Sequence, residues 1–267
     1  MRELLQNLRL HLASFARDSD FVAPTFRSAR AVSLSGRWGT AEGQLLASLA
    51  RPGSIAIDVG ANVGQYSAVL ARALQGLGIV LAFEPNPYAY EALVKGCRKK
   101  LVLPLSCALS NRSGSGTLSV PLSLNGEMQI QLGSLDENLQ KTGYERFSVA
   151  VEKLDTFLPI LDLGVSVVKI DVEGFELEVL KGAEKLLTEQ RPPLVIEIEH
   201  RHQPSGQSAE DVVMWLLDHG YEVSGLDPRG IIGWKEALKK QDEFTRGNGA
   251  HPAEYCNNFV AHPASVR

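Results

Sequence analysis

The run Ile57-Asp58-Val59-Gly60-Ala61-Asn62-Val63-Gly64-Gln65 constrains this chain more than any other nine residues. An apolar stretch from Ile55 to Val59 ends in a turn with glycines at 60 and 64. A helical pattern follows, with Tyr66, Val69, Leu70 and Ala73 on one face. Twenty residues beyond Gly64, a second apolar run, Ile79 to Phe83, ends in Glu84. Strand, glycine turn, helix and a carboxylate-terminated strand form the nucleotide half of a doubly wound sheet. The turn lets a ligand approach the backbone and the distant acid is placed to grip a ribose. The chain is therefore expected to bind an adenosine-bearing cofactor.

The same alternation runs through the rest of the chain. Asn86 can cap a helix that has Pro87 at its first position and Lys99 and Lys100 in its last turn. A strand over 101–107 follows. Residues 110–152 break the rhythm with short β-rich runs (Thr117 to Val120, Glu127 to Leu132, Phe147 to Val151), which predicts a hairpin-type insertion. A short helix at 153–160 precedes the strand Val165 to Ile170. A strongly periodic helix after Gly174 places Val179, Leu180, Ala183, Leu186 and Leu187 inward, and Arg191-Pro192-Pro193 ends it. Leu194 to Ile198 reads as a strand, and Ser208 with Asp211 as the capping box of a helix that stops at Gly220. Tyr221 to Ser224 and Asn258 to Ala261 read as closing strands, joined by a loop that carries Arg229, Trp234 and Arg246. Residues 1–50 read as a leader of two helices around a polar stretch, Arg17 to Ala31, the second helix lying near Thr40 to Leu49.

Ligands of such sheets bind at the carboxyl ends of the strands. Asp58, Glu84, Asp171, Glu197 and Glu199 all fall there. Gly60 and Gly64 flank Ala61-Asn62-Val63, so the middle glycine that a pyrophosphate needs is missing. A carboxylate at 58 would also repel phosphate. It suits a cation, such as the ammonium and sulfonium of S-adenosyl-L-methionine. Glu84 before Pro85 can accept both hydrogens of a ribose diol. Asp171 and Glu173 could act as a base, hold a hydroxyl substrate, or favour the next helix through its dipole. Glu176 and Glu178 read as a solvated helix face. Of the late group Glu197, Glu199, His200 and His202, a histidine could take a proton, the cluster could hold a divalent metal, or it could simply line the cleft.

Composition narrows the class. A 267-residue chain with 44% hydrophobic and 22% charged residues can bury an ordinary core without metal or disulfide. A net charge of −4 speaks against nucleic acid as partner. Cys97, Cys107 and Cys256 lack ligand spacing and read as reduced thiols of a cytoplasmic protein. Leu4, Leu5, Leu8, Leu10 and Leu12 suggest an amphipathic helix packing on the domain or in a homodimer. They do not suggest a targeting segment, and no run approaches the roughly 18 apolar residues of a membrane span.

Taken together these segments resemble the FkbM-type family of S-adenosylmethionine-dependent methyltransferases. The resemblance rests on Asp58 to Gly64, Phe83 to Asn86, Ala108 to Ser110, Leu154-Asp155, Val168 to Gly174, Glu176, Val179-Leu180, Gly182-Ala183 and Asn257 to Phe259. It implies an α/β fold with a mostly parallel, seven-stranded class I methyltransferase (Rossmann-like) sheet. A domain over 51–267 would carry the β-rich insertion. The implied chemistry is O-methylation of a sugar or polyketide hydroxyl with S-adenosyl-L-methionine. By matching position, Asp58, Gly60, Asn62 and Glu84 would bind the cofactor, joined by Ala61, Gly64, Asn86 and Ala108, while Asp171 and Glu173 would face its reactive end. Asp171 is the first choice of base for the acceptor's proton, and His200 the second. A nicotinamide oxidoreductase and a non-catalytic cofactor-binding scaffold are the rival readings.

Overall fold

The computed structural model describes residues 40–97, 101–123, 125–126, 128–129, 133–135, 143–160, 163–203, 206–245 and 255–265. The first leader helix, Lys99, Lys100, Arg246 and part of the 127–132 run lie outside them. Among the described residues no helix is long and apolar enough to cross a membrane.

A sheet of eight strands forms the centre. In chain order the first three are β1 (Ile55–Val59), β2 (Ile79–Phe83) and β3 (Val102–Leu105). Next in this sheet come β7 (Val165–Ile170), β8 (Leu194–Glu197), β9 (Tyr221–Asp227), β10 (Gly230–Gly233) and β11 (Asn258–Pro263). Their spatial order is β10-β9-β11-β8-β7-β1-β2-β3. From β3 to β8 the pairing is parallel, and β11 runs antiparallel between β8 and β9. All five residues of β1, all five of β2 and all six of β7 are buried, because helices cover both faces. This is the mostly parallel, doubly wound sheet expected, with one strand more than the seven anticipated. Pro228 and Arg229 turn the chain back so that β10 pairs antiparallel with β9. The expected loop around Trp234 is a helix over Trp234–Thr245.

One face is covered by α1 (Ala41–Leu49) and α2 (Gln65–Ala73), whose Leu46 and Leu70 pack with Val80, Val167 and Val195. Helix α1 thus belongs to the core although it reads as leader. Tyr66 of α2 donates its hydroxyl hydrogen to Glu42 of α1. Helix α3 (Pro87–Cys97) begins as read, with Asn86 Oδ1 accepting from Tyr88 N at 3.0 Å. Val179, Leu180, Leu186 and Leu187 face the other cluster, as their period predicts.

The single helix expected there is two, α4 (Glu176–Gly182) and α5 (Glu184–Glu189). A Cβ on Gly182 would stand 2.0 Å from Ser110 O, so tertiary approach fixes this point of the helix. Asp155 then caps α5, accepting from Lys185 N and Leu186 N at 2.9 Å each. The Leu154-Asp155 pair is therefore architectural and lies in a 3-10 helix over Leu154–Ile160. Helix α6 (Ala209–Asp218) carries the Ser208–Asp211 capping box, and α7 is the helix Trp234–Thr245.

The expected strand over 101–107 ends at Leu105, and the chain then leaves the sheet. Strands β4 (Ala108–Leu109), β5 (Gly114–Pro121) and β6 (Tyr144–Glu152) make a separate three-stranded sheet, with β5 antiparallel to β6. Of the Glu127 to Leu132 run, Met128 forms only a bridge to Leu122.

Candidate active site

The turn after β1 is set by backbone. Gly60 N and Ala61 N donate to Phe83 O at 3.0 and 2.9 Å, which ties this turn to the end of β2. Gly60 has φ +73°, and a Cβ there would lie 1.8 Å from Asp171 O. Only glycine lets the first turn and the end of β7 meet. Between them opens a cavity of about 260 Å³ at the carboxyl ends of the strands.

Six of the expected cofactor residues line it: Gly60, Asn62, Glu84, Asn86, Ala108 and Asp171. Glu84 Oε2 accepts from Asn62 N and Oε1 from Asn86 N, both at 2.7 Å. Burial pushes its carboxyl up to about 7, against the pull of these two amides. Ala61 and Gly64 lie behind the cavity. Gly64, at φ +88°, starts α2, and a Cβ there would stand 2.6 Å from Leu93 Cδ1.

Asp58 also lies behind the cavity, fully buried, with Ser67 Oγ donating to its Oδ2 at 2.6 Å. Its Oδ1 has no hydrogen-bond partner among the described residues. Burial raises its carboxyl above the usual range, while Lys169 pulls the other way. The carboxylate read as facing a cationic ligand therefore faces the protein's own lysine. Lys169 is 1% exposed, stacks 4.6 Å from the Tyr66 ring centroid and donates to Asp171 Oδ2 at 3.0 Å. Burial disfavours its charge, yet Asp171, Glu42 and Asp58 together hold its ammonium above the ordinary lysine range.

At the far end Asp171, Glu173 and Glu197 line the cavity with Val172 and Phe175. Glu173 has φ +54°, unusual for a residue with a side chain, and its Oε2 lies 2.6 Å from His202 Nδ1. Asn257 Nδ2 donates to Glu197 Oε1 at 2.7 Å and Glu199 Oε1 at 2.9 Å. Burial, with Asp171 beside it, raises the Glu197 carboxyl. His200 does not reach this group. Its Nε2 points to Asp242 Oδ1 of α7, 3.6 Å away, while its backbone N donates to Gln241 Oε1. The two histidines stand two residues apart in a 3-10 turn of three residues, so they face different sides.

Glu176 is no solvated residue. It is 2% exposed, accepts from Gly174 N and Gln203 Nε2 at 2.9 Å each, and burial pushes it up to about 7. Among the described residues no three His, Cys, Asp or Glu side chains converge as a metal would require.

The remaining lining escaped the sequence. Leu118, Gly133 and Leu135 of the insertion form one wall with Leu109, Phe83 and Cys107. Burial pushes the Cys107 thiol up to about 12, which leaves it unreactive.

Known proteins resemble this chain over most of its length. The family model of the methyltransferase FkbM domain matches residues 58–223. Methyltransferase sdnD of Sordaria araneosa is 31% identical over 196 residues, 63% of this chain and 73% of that one. Hexuronic acid methyltransferase AglP of Haloferax volcanii is 31% identical over 208 residues, 77% of this chain and 71% of that one. The 31-O-demethyl-FK506 methyltransferase FkbM of Streptomyces tacrolimicus is 28% identical over 199 residues, 65% of this chain and 74% of that one.

Proposed function

The chain belongs to the methyltransferase FkbM family, and on that premise we propose that it methylates a hydroxyl oxygen of a small molecule or glycan. It is a methyltransferase that uses S-adenosyl-L-methionine. The observation that carries the finer reading is the convergence of Glu84, Asp171, Glu173 and Glu197 on one cavity.

The residues present fit this cofactor. Glu84 is fixed by two main-chain amides and keeps lone pairs on both oxygens for the two hydroxyls of a ribose. Phe83, Cys107, Ala108 and Leu109 offer the apolar wall that an adenine ring needs. Asp171 carries a negative charge toward the far end, as a cationic centre requires. When bound, the cofactor supplies a methyl group already activated by its sulfonium. The protein's task is then alignment, exclusion of water and disposal of one proton. Alignment alone supplies about 7–11 kcal/mol in favourable systems. A hydroxyl acceptor suits the far end, where carboxylates can accept its hydrogen.

Isothermal titration with S-adenosylhomocysteine tests the cofactor site, with micromolar binding expected and its loss expected in Glu84→Ala. Transfer of labelled methyl to a panel of methyl hexopyranosides and simple polyols tests the acceptor class. Binding without transfer to any hydroxyl would return the protein to the reading of a non-catalytic cofactor-binding scaffold.

A further inference from the structure

The end of β7 and the turn after β8 are locked together more tightly than packing requires. Gly174, at φ +102°, lies so close to His202 that a Cβ would stand 1.9 Å from His202 O. That approach brings His202 Nδ1 to 2.6 Å from Glu173 Oε2, on a residue that itself sits in the left-handed region. Strain of this kind persists where the surroundings impose it, and it gathers at working sites. On the same edge of the ring stands Glu199, 5% exposed, with Oε2 3.4 Å from the same Nδ1 and Oε1 accepting from Asn257 Nδ2. The result is a cluster in which the Nδ1 edge of His202 faces both Glu173, at the cavity wall, and Glu199, itself held by Asn257. Asp171, by contrast, has one carboxylate oxygen committed to the buried Lys169 ammonium.

We propose that Glu173 accepts the hydroxyl proton during methyl transfer, and that His202, whose Nδ1 edge it shares with Glu199, is the residue that positions it. The inference rests on the methyltransferase reading above. With carboxylates on its side, Nδ1 is assigned the hydrogen and donates it to Glu173. As the acceptor's O–H bond breaks, its electron pair stays on oxygen and the O–C bond forms. The pair of the breaking C–S bond stays on sulfur, and the proton ends on Glu173, whose charge it cancels. The charged groups around this pair are Asp171 and Glu197 at the strand ends, Glu176 of α4, Glu199 after β8, and Lys169 beneath.

The test measures transfer of labelled methyl to methyl hexopyranosides as a function of pH, with S-adenosylhomocysteine calorimetry on every variant. Glu173→Gln should lose about 10²–10⁴-fold in kcat with KM and cofactor binding retained. In His202→Phe the acid limb of kcat should move to higher pH, because the hydrogen bond that favours the charged carboxylate is gone. His202→Asn keeps a donor close to the place of Nδ1 and should restore the wild-type limb. A merely structural role would lower kcat in both His202 variants and leave the limb where it is. Nitrogen-detected NMR of the imidazole, in full-length protein saturated with S-adenosylhomocysteine, gives a readout that needs no acceptor. The His202 signals should report hydrogen on Nδ1 and change in Glu173→Gln. Undiminished kcat in Glu173→Gln, an unmoved limb in His202→Phe, or imidazole signals indifferent to Glu173→Gln would each overturn the proposal. Failure of the wild-type protein to bind S-adenosylhomocysteine would instead sink the reading beneath it.

Discussion

The two halves of the cavity hold their carboxylates by different means. In the nucleotide half, Glu84 rests on the main-chain N–H groups of Asn62 and Asn86. In the other half, Asp171, Glu173, Glu197 and Glu199 rest on side chains: Lys169, His202 and Asn257. A backbone-held carboxylate takes its position from the turn and tolerates change in the side chains that surround it. A carboxylate held by side chains can be tuned in charge and basicity, but loses its footing with a single substitution. The first arrangement suits an invariant ligand, and the second suits proton traffic.

The sharpest way to break this contrast is Lys169→Met. It leaves Asp58 and Asp171 without their cation, and the expected loss in urea unfolding is about 3–5 kcal/mol. A loss under about 1 kcal/mol would mean that the second half does not depend on its side-chain partners.

Next in size, Glu84→Ala should weaken S-adenosylhomocysteine by roughly ten- to a hundredfold in calorimetry, the worth of hydrogen bonds to a charged group.

A third prediction concerns pH. Burial raises Glu176 from 4.5 to about 7, so the folded state favours its protonated form. The resulting stability is fully present below 4.5 and is lost as the pH rises through about 7. Glu176→Gln should therefore gain about 1–3 kcal/mol on wild type near pH 8.5, and almost nothing near pH 4, in denaturant titrations at the two values.

The smallest effect belongs to the backbone-held half. Asn62 has φ +50°, and its N–H is what Glu84 uses. Asn62→Gly keeps both the conformation and the donor, and should change cofactor affinity by no more than about twofold. A tenfold loss would show that the side chain takes part and would blur the distinction between the halves.

The nucleotide half was also the more legible in the sequence. Its determinants are local: an apolar run, a glycine turn, and a carboxylate at the end of the next strand. Asp171 and Glu173 were found the same way. What stayed hidden depends on distant approach. Asp155 caps a helix some thirty residues on, and the α4–α5 break lies where Gly182 meets Ser110. His202 and not His200 stands beside Glu173 because a three-residue turn sends the two rings apart, which spacing alone cannot show. Helix α7 carries little periodic signal, because its buried face is only Ala237, Leu238 and the polar Gln241. Gln241 donates to Ile198 O and Cys256 O at 2.7 and 2.8 Å, so a polar residue occupies a core position. The wall formed by Leu118 and Leu135 carries no motif at all, since an apolar lining needs only bulk.

The eight-stranded sheet ends at β3 on one side and β10 on the other. An open strand edge is a template on which a second chain can add itself, and proteins that leave one long and flat invite aggregation. Here β10 is four residues long with glycine at each end, and α7 begins at the next residue. Strand β3 is also four residues long and includes Pro104, which has no N–H to offer. Neither border gives a foreign strand more than a short foothold. Crowded copies of this protein would therefore be expected not to join through the borders of this sheet.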